Sequence, residues 1–184
     1  MKTCFLDFDD FEEKNNRLDW LWQLHDEFPY FKVNLFTVPE GCKDSFLEYI
    51  RKIKWIQLCV HGWEHKHNEH IPENKLIVCD AIGYAKVYRA PYWQLSDEMY
   101  KRLRKMDYKI MLHPDDSREG IKYNWNIKDS PPPLDVLRGH GHIQDTQGNG
   151  LVEAMENILK LPKDTKFEFL SNMTAQKILV KKDY

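Results

Sequence analysis

With 184 residues, 42% hydrophobic and 13% aromatic, the chain is long enough to bury one full core but too short for two ordinary domains. Its 27 basic and 29 acidic residues give a net charge of -2, which argues against nucleic acid as the main partner. No apolar run approaches the roughly 18 to 20 residues of a membrane span, and the amino-terminal run meets carboxylates too early for a signal peptide. We therefore expect a single cytoplasmic domain over residues 1–184, without a membrane span and with four reduced cysteines.

Short apolar runs alternate with amphipathic ones along the chain, the pattern of parallel strands joined by helices. The predicted strands cover residues 3–8, 31–38, 55–60, 86–88, 108–112, 134–137 and 166–170. The predicted helices cover residues 18–28, 44–53, 96–106, 151–161 and 174–180, with Asp44 or Ser45 capping the second and Ser96 the third. Residues 113–133 predict a long loop. About seven strands favour an α/β fold built as an irregular (β/α) barrel over an open doubly wound sheet.

Polar residues follow several predicted strands at their carboxyl ends, the rim where parallel α/β folds assemble their sites. The adjacent carboxylates Asp9 and Asp10 follow the first strand, His61 follows the third, and Arg89 follows the fourth. Successive side chains diverge at the end of a strand, so one carboxylate can bind a metal while the other faces a water molecule. An acidic pair in this place is also an ordinary solvated turn.

His61 and His65 are four residues apart, the spacing that puts two imidazoles on one face of a helical turn, where both can bind one divalent ion. The later His67 and His70 are expected to be solvated.

Two further segments contain candidate residues. The segment Arg89-Ala90-Pro91-Tyr92 joins a fixed cation to a stiffened backbone and an aromatic ring, which suits it to orienting a carboxylate and lining a pocket. The segment Arg138-Gly139-His140-Gly141-His142 alternates so that both histidines lie on one face, and either can donate a proton at neutral pH.

Four of these motifs together resemble a known family. Phe8-Asp9-Asp10, His61-x-x-x-His65, Arg89-x-Pro91-Tyr92 and the strand-to-histidine segment ending at His142 resemble, in order and spacing, the first, second, third and fifth motifs of the NodB-like polysaccharide deacetylases, a carbohydrate esterase 4-like family. The resemblance spans nearly the whole chain. It implies an irregular (β/α) barrel and a metal-dependent hydrolase that removes an N-acetyl or O-acetyl group from a carbohydrate.

The resemblance also implies a metal site and a general base. Asp10, His61 and His65 are the expected ligands of a divalent metal, and Asp9 is the expected base, steadied by Arg89. One Asp and two His leave open positions, as in catalytic zinc sites, so Zn2+ is the expected ion.

Other matched positions imply an acid and substrate contacts. His140 or His142 is the expected general acid, and the backbone amide of Tyr92 is expected at the oxyanion. Trp93, Trp125 and the Tyr92 side chain are the expected aromatic contacts to the sugar.

The chain also departs from the family pattern. Phe11 stands where a glycine is usual, and Gly62 stands where Ser or Thr is usual. The fourth motif, an Asp near a Trp, has only Trp125 with Asp129 or Asp135 as candidates.

Three alternatives remain open at this point. The residues from His61 to His65 also fit H-x-x-E-H, a zinc-peptidase motif in which Glu64 would be the base on a continuous helix. Asp7-Phe8-Asp9 fits the D-x-D opening of a phosphatase, with Asp115 and Asp116 as later magnesium ligands, although this leaves the histidines unused. The third alternative is a catalytically degenerate sugar-binding protein that keeps the barrel.

Overall fold

The computed structural model describes residues 1–144 and 148–174, and these form nine strands and five α-helices. The strands are β1 (Thr3–Phe11), β2 (Val33–Thr37), β3 (Ile56–Val60), β4 (Val87–Arg89), β5 (Lys109–Leu112), β6 (Ile121–Lys122), β7 (Trp125–Asn126), β8 (Val136–His142) and β9 (Lys166–Phe167). The helices are α1 (Leu18–Glu27), α2 (Asp44–Arg51), α3 (Glu73–Ala81), α4 (Asp97–Lys105) and α5 (Leu151–Leu159).

All nine strands belong to one parallel sheet in the order β6-β5-β4-β3-β2-β1-β8-β7, with β9 beside the start of β1. The short segment from β6 to β7 pairs at one end with β5, where Ile121 is opposite Met111. At its other end it pairs with β8, where Trp125 is opposite Gly139. Because this one segment pairs with both sides, the sheet curls into an irregular barrel, although its end strands β6 and β7 do not pair with each other. The predicted (β/α) barrel is confirmed, with more and shorter strands than expected.

The barrel interior is apolar below the site. Alternate residues of β1 face opposite sides, so Phe5, Asp7 and Asp9 share one face while Leu6 and Phe8 face the helices. The cluster that contains Phe5 takes one residue from each of the next four strands, namely Phe36, Cys59, Val87 and Met111. The strand thus continues from an apolar core residue to two buried carboxylates.

One helix and two strands lie where the sequence predicts no helix or strand. Residues 73–81 form α3, although only Leu76 and Cys79 of this helix are buried, while Ile77 and Val78 are exposed. An apolar stripe therefore does not mark this helix in the sequence. The predicted loop over residues 113–133 contains β6 and β7.

Predicted helix caps differ in their outcome. Ser96 caps α4 as predicted, since its hydroxyl accepts a hydrogen bond from the Met99 amide at 3.2 Å. The predicted capping of α2 by Asp44 or Ser45 is wrong, because Lys43 occupies the cap position and makes no side-chain cap bond. The predicted helix over residues 174–180 lies outside the described residues except for its first position.

All four cysteines are free thiols, as expected. Among the helices of the described residues, none is long and apolar enough to cross a lipid bilayer.

Candidate active site and metal centre

A bulge at the end of β1 brings two neighbouring carboxylates to the same cavity. The pairing of β1 with β2 shifts register between Phe8 and Phe11, and Asp10 has a left-handed backbone with φ 62°. In a regular strand the side chains of Asp9 and Asp10 would point to opposite faces, but both line one cavity here. The strand therefore continues through the acidic pair, which the sequence places after its end.

The segment from His61 to His65 is a loop and not a helical turn, so the predicted helical geometry is wrong. Gly62 has φ 70° and His65 has φ 59°, two left-handed residues that fold the loop back on itself. Both imidazoles nevertheless lie on one side, with ring centroids 4.9 Å apart. The two imidazoles therefore come together as their spacing predicted, but a loop with left-handed residues brings them together instead of a helical turn.

Asp10 and the two histidines form a three-donor cluster. Oδ1 of Asp10 lies 3.3 Å from Nε2 of His61 and 2.9 Å from Nε2 of His65. One donor atom from each residue lies within 4.8 Å of the others, close enough for one cation. Aspartate oxygen and imidazole nitrogen are common ligands of zinc and related divalent ions.

The hydrogen bonds around this cluster suit a bound cation. Nδ1 of His61 lies 3.1 Å from the carbonyl oxygen of Arg89, which can only accept, so Nδ1 carries the proton. In the neutral ring, Nε2 then presents a lone pair towards Asp10, as a metal ligand does. Without a cation, the contact between Nε2 of His61 and the carboxylate of Asp10 requires a protonated imidazole. Burial disfavours that form, but the charges of Asp9 and Asp10 outweigh it and raise the pKa of His61.

The buried charges around this cluster also favour a bound cation. The carboxylates of Asp7 and Asp9 share the guanidinium of Arg89, whereas Asp10 contacts the imidazoles of His61 and His65. The side chains of the three aspartates and of Arg89 are at most 15% exposed. With neutral imidazoles the cavity holds an excess of two negative charges, which is costly to bury. One divalent cation balances that charge.

Arg89 holds the carboxylate of Asp9 inside the barrel. Its Nη1 lies 2.5 Å from Oδ1 of Asp9 and 2.6 Å from Oδ1 of Asp7. The guanidinium carbon also lies 4.1 Å from the ring centre of Phe36 and 4.8 Å from that of Trp93. Burial opposes ionisation of Asp9, but the charge of Arg89 outweighs it, so the pKa of Asp9 lies below its ordinary value. Asp9 is therefore ionised at neutral pH.

Asp7 orients His140. Oδ1 of Asp7 lies 3.0 Å from Nδ1 of His140. Nη1 of Arg89 is also 3.0 Å from this nitrogen, but its two hydrogens serve the shorter contacts to Asp7 and Asp9. Nδ1 of His140 therefore donates to Asp7, which leaves Nε2 as the nitrogen available to a bound molecule. The sequence could have indicated Asp7, because it lies two residues before Asp9 on a predicted strand and therefore on the same face of that strand.

His142 lies beside His140, with ring centroids 5.2 Å apart, so the predicted alternation along β8 is correct. Its buried Nδ1 has no hydrogen-bond partner among the described residues. Burial lowers the pKa of His142, which favours the neutral ring. Asp9, His140 and His142 also lie within 4.8 Å of one another through one donor atom each. Arg89 already holds Asp9, and Asp7 already holds His140, so these residues form a second, separately fixed set beside the cluster of Asp10, His61 and His65.

The two sets line one cavity of about 410 Å3, a volume within the roughly 300 to 1,000 Å3 typical of ligand pockets. Tyr92 and Trp93 form part of its wall, with left-handed backbone angles φ 54° and 60°. Three lining residues were missed at the sequence level, namely Tyr123, Asn126 and Asn149. Tyr123 and Asn126 lie in the predicted loop over residues 113–133, and Asn149 lies outside every predicted helix and strand, so apolar periodicity gave no signal for any of them.

Trp125 is a core residue, which corrects its expected role as a sugar contact. It is 2% exposed, does not line the cavity, and packs against the position of Gly139. Its indole nitrogen donates to the backbone oxygen of Asp129 at 2.9 Å. The carboxylate that contacts a late histidine belongs to Asp7 and not to Asp129 or Asp135.

Two of the alternatives fail on geometry. The H-x-x-E-H motif needs a helix, but its residues form a loop, and Glu64 pairs with Lys66 and Lys75 outside the cavity. The D-x-D phosphatase needs an accessible first aspartate, but Asp7 is fully buried against Arg89. Asp116, proposed there as a magnesium ligand, pairs with Arg118.

Solved structures with the same architecture include carbohydrate deacetylases and esterases. A family 4 acetyl xylan esterase from Clostridium thermocellum, solved with a cobalt ion, aligns with a TM-score of 0.62 at 17% identity, over 92% of this chain and 87% of that one. A polysaccharide deacetylase from Bacillus cereus gives 0.61 at 16% identity, over 92% and 91%. A CE4 esterase from Streptococcus mutans gives 0.61 at 17% identity, over 91% and 85%.

Sequence comparison alone finds no such likeness, since no family model and no curated protein matches the chain. The agreement therefore lies in three-dimensional structure and covers nearly the whole length on both sides. This chain has the fold of the NodB-like polysaccharide deacetylases.

Proposed function

We propose that this chain is a metal-dependent hydrolase that removes an acetyl group, N-linked or O-linked, from a carbohydrate. The proposal rests on the observation that two sets of residues line the same cavity. One set is Asp10, His61 and His65, and the other is Asp9, His140 and His142. Oδ2 of Asp9 lies 3.8 Å from Nε2 of His61, so a carboxylate held by Arg89 adjoins the cluster of Asp10, His61 and His65. A base beside a metal site is what hydrolysis of an amide or ester requires.

The cofactor of this proposal is one divalent cation on Asp10, His61 and His65, with zinc as the ion. When bound, such an ion supplies Lewis acidity that polarises a carbonyl oxygen and acidifies water. Two imidazoles and one carboxylate suit zinc, and elemental analysis of the purified protein tests this identity directly.

Asp9 is the general base of the proposed reaction. Its carboxylate is ionised, borders the metal ligands and is fixed by Arg89, so it can take a proton from the attacking water. A positioned base typically contributes about 100- to 10,000-fold in rate. Arg89 is a positioning residue, because it acts through Asp9.

His140 is the general acid of the proposed reaction, in preference to His142. The bond to Asp7 fixes the tautomer of His140 and leaves its Nε2 available to a bound molecule. His142 lacks such a partner among the described residues, and burial lowers its pKa. His140 would protonate the departing amine or alcohol, which leaves acetate and the deacetylated sugar. The backbone amide of Tyr92 would donate to the developing oxyanion, a contribution of about 3 kcal/mol for a well-placed donor.

A carbohydrate substrate fits the walls of the cavity. Tyr92, Trp93 and Tyr123 present aromatic faces, and Asn126 and Asn149 present amides that can bind hydroxyl groups. Among proteins with this fold are a peptidoglycan N-acetylglucosamine deacetylase and a chitin deacetylase, which supports this substrate class. The cytoplasmic location stays a prediction from sequence.

Acetate release from N-acetylated chitooligosaccharides and O-acetylated xylooligosaccharides tests the proposal. We expect zinc-loaded wild type to release acetate and Asp9→Asn to lose about 100- to 10,000-fold in kcat while it keeps its zinc. The matched control is Glu64→Gln, a carboxylate of the same rim that lies outside the cavity, and it should keep its activity. A wild-type protein that binds zinc and sugar but never releases acetate would instead be the degenerate sugar-binding protein.

A further inference from the structure

The loop that carries both metal-ligand histidines is folded around a carboxylate from outside it. Oε1 of Glu69 accepts hydrogen bonds from the backbone amides of Trp63 and Glu64, each at 2.9 Å. Its other oxygen, Oε2, lies 3.4 Å from the amide of Lys66. One side chain thus satisfies three of the four N–H groups that follow Gly62 in this segment.

Gly62 leaves the space that this carboxylate occupies. A Cβ atom built on Gly62 would lie 2.3 Å from Oε2 of Glu69 and 2.7 Å from Cγ of Pro91. Gly62 also has φ 70°, a conformation that other residues rarely adopt. Because no side chain is present at position 62, Glu69 can reach the loop amides, and Pro91 of the neighbouring wall can pack against the same point.

Glu69 differs from the other carboxylate of this segment. Glu64 forms ion pairs with Lys66 and Lys75, whereas Glu69 forms no ion pair among the described residues. Its negative charge is therefore matched mainly by backbone dipoles of the loop. A carboxylate bound in this way favours one backbone conformation of the loop over others.

We propose that Glu69 is the residue that positions His61 and His65 for metal binding. The loop has two left-handed residues, Gly62 and His65, and such a backbone persists only where its surroundings hold it. Glu69 is the acceptor that bonds the amides lying between these two positions. It acts through the backbone and contacts neither imidazole by hydrogen bond. This inference rests on the proposed function only in taking the two histidines as metal ligands.

Zinc affinity of the metal-free protein, measured by titration against a competing chelator, tests the inference without substrate. We expect Glu69→Ala to weaken zinc binding by about 10- to 100-fold, the range found when groups that orient metal ligands are removed. Glu69→Gln keeps one acceptor oxygen for the amides of Trp63 and Glu64, so it should recover part of the affinity.

Two controls separate positioning from general destabilisation. Glu64→Gln removes the neighbouring carboxylate and should leave zinc affinity unchanged. Phe28→Leu removes part of a buried ring that packs on Phe167, beside the start of β1 and so at the opposite end of the barrel from the loop. It destabilises the fold and should also leave zinc affinity unchanged.

Wild-type affinity in Glu69→Ala, or an equal loss of affinity in Phe28→Leu, overturns the positioning role. If wild type binds no divalent ion, this inference and the metal part of the proposed function fail together. If zinc affinity falls in the expected order from wild type to Glu69→Gln to Glu69→Ala while neither wild type nor any variant releases acetate, the positioning role stands and the deacetylase assignment fails.

Discussion

Oδ1 of Asp7 accepts a hydrogen bond from Nδ1 of His140 at 3.0 Å, while it also contacts Nη1 of Arg89 at 2.6 Å. Both bonds are fully enclosed in the barrel, where Asp7 and Arg89 are 0% exposed and His140 is 3% exposed. Asp7 therefore links the proposed acid to the residue that holds the proposed base.

Asp7→Asn should lower kcat by about 10- to 100-fold with little change in KM. The amide keeps the shape but removes a charge-assisted bond to His140, and such bonds contribute about 1.5 to 3 kcal/mol. Steady-state kinetics of Asp7→Asn, His140→Gln and the double variant provide the measurement. If Asp7 acts through His140, Asp7→Asn should have little further effect in the His140→Gln background. Independent, additive losses would contradict this coupling.

Zinc should stabilise the folded chain through Asp10. A ligand that binds only the native state at 100 times its Kd adds about 2.7 kcal/mol to the free energy of unfolding. Urea denaturation of wild type with zinc and with EDTA should show a gain of this order. Asp10→Asn should lose most of the gain, whereas Asp9→Asn should retain it because the proposed ligand set of Asp10, His61 and His65 does not include Asp9. Equal gains in both variants would place the ion elsewhere.

The metal-free protein should lose stability at acid pH partly through His142. Burial lowers the pKa of His142 in the folded state, so the unfolded chain, in which histidine titrates near about 6.5, takes up the proton first as pH falls. Below about pH 6.5 the unfolded state therefore binds more protons than the folded state, and His142 lowers the free energy of unfolding. Above that pH, His142 is neutral in both states and this loss of stability is absent. His142→Gln should therefore show a smaller drop in unfolding free energy between about pH 7.5 and 5 than wild type in EDTA. An identical drop in both proteins would mean that His142 does not titrate in this window.

Gly141→Ala should destabilise the fold by about 1 to 3 kcal/mol, the usual cost of adding a methyl group to a packed site. A Cβ at position 141 would lie 2.1 Å from Cδ1 of Ile127 and 2.8 Å from the backbone oxygen of Asn149. The backbone contact cannot relax by a change of rotamer. Urea denaturation measures the effect, and an unchanged midpoint would show that the strand moves to admit the methyl group.

Much of the fold was predictable because its central strands are short apolar runs with polar ends. Apolar periodicity located β1 to β5, and the alternation of glycine and histidine in β8 correctly put His140 and His142 on one face. It failed for α3, whose outer face carries Ile77 and Val78, and for the two-residue strands β6 and β7. Elements this short or this weakly amphipathic depend on their neighbours, which a local pattern does not contain.

The candidate site, like the fold, was predictable from the sequence only in part. The spacing of Asp9, Asp10, His61, His65 and Arg89 at the ends of predicted strands was enough to nominate the metal and base residues, because parallel strands end at one rim. The tertiary structure alone decided that a bulge turns Asp10 beside Asp9, that Glu69 folds the histidine loop, and that Trp125 packs into the core. It also revealed the partnership of Asp7 with His140 across 133 residues. Strand ends are encoded locally, whereas backbone conformations and buried hydrogen bonds depend on groups that only folding brings together.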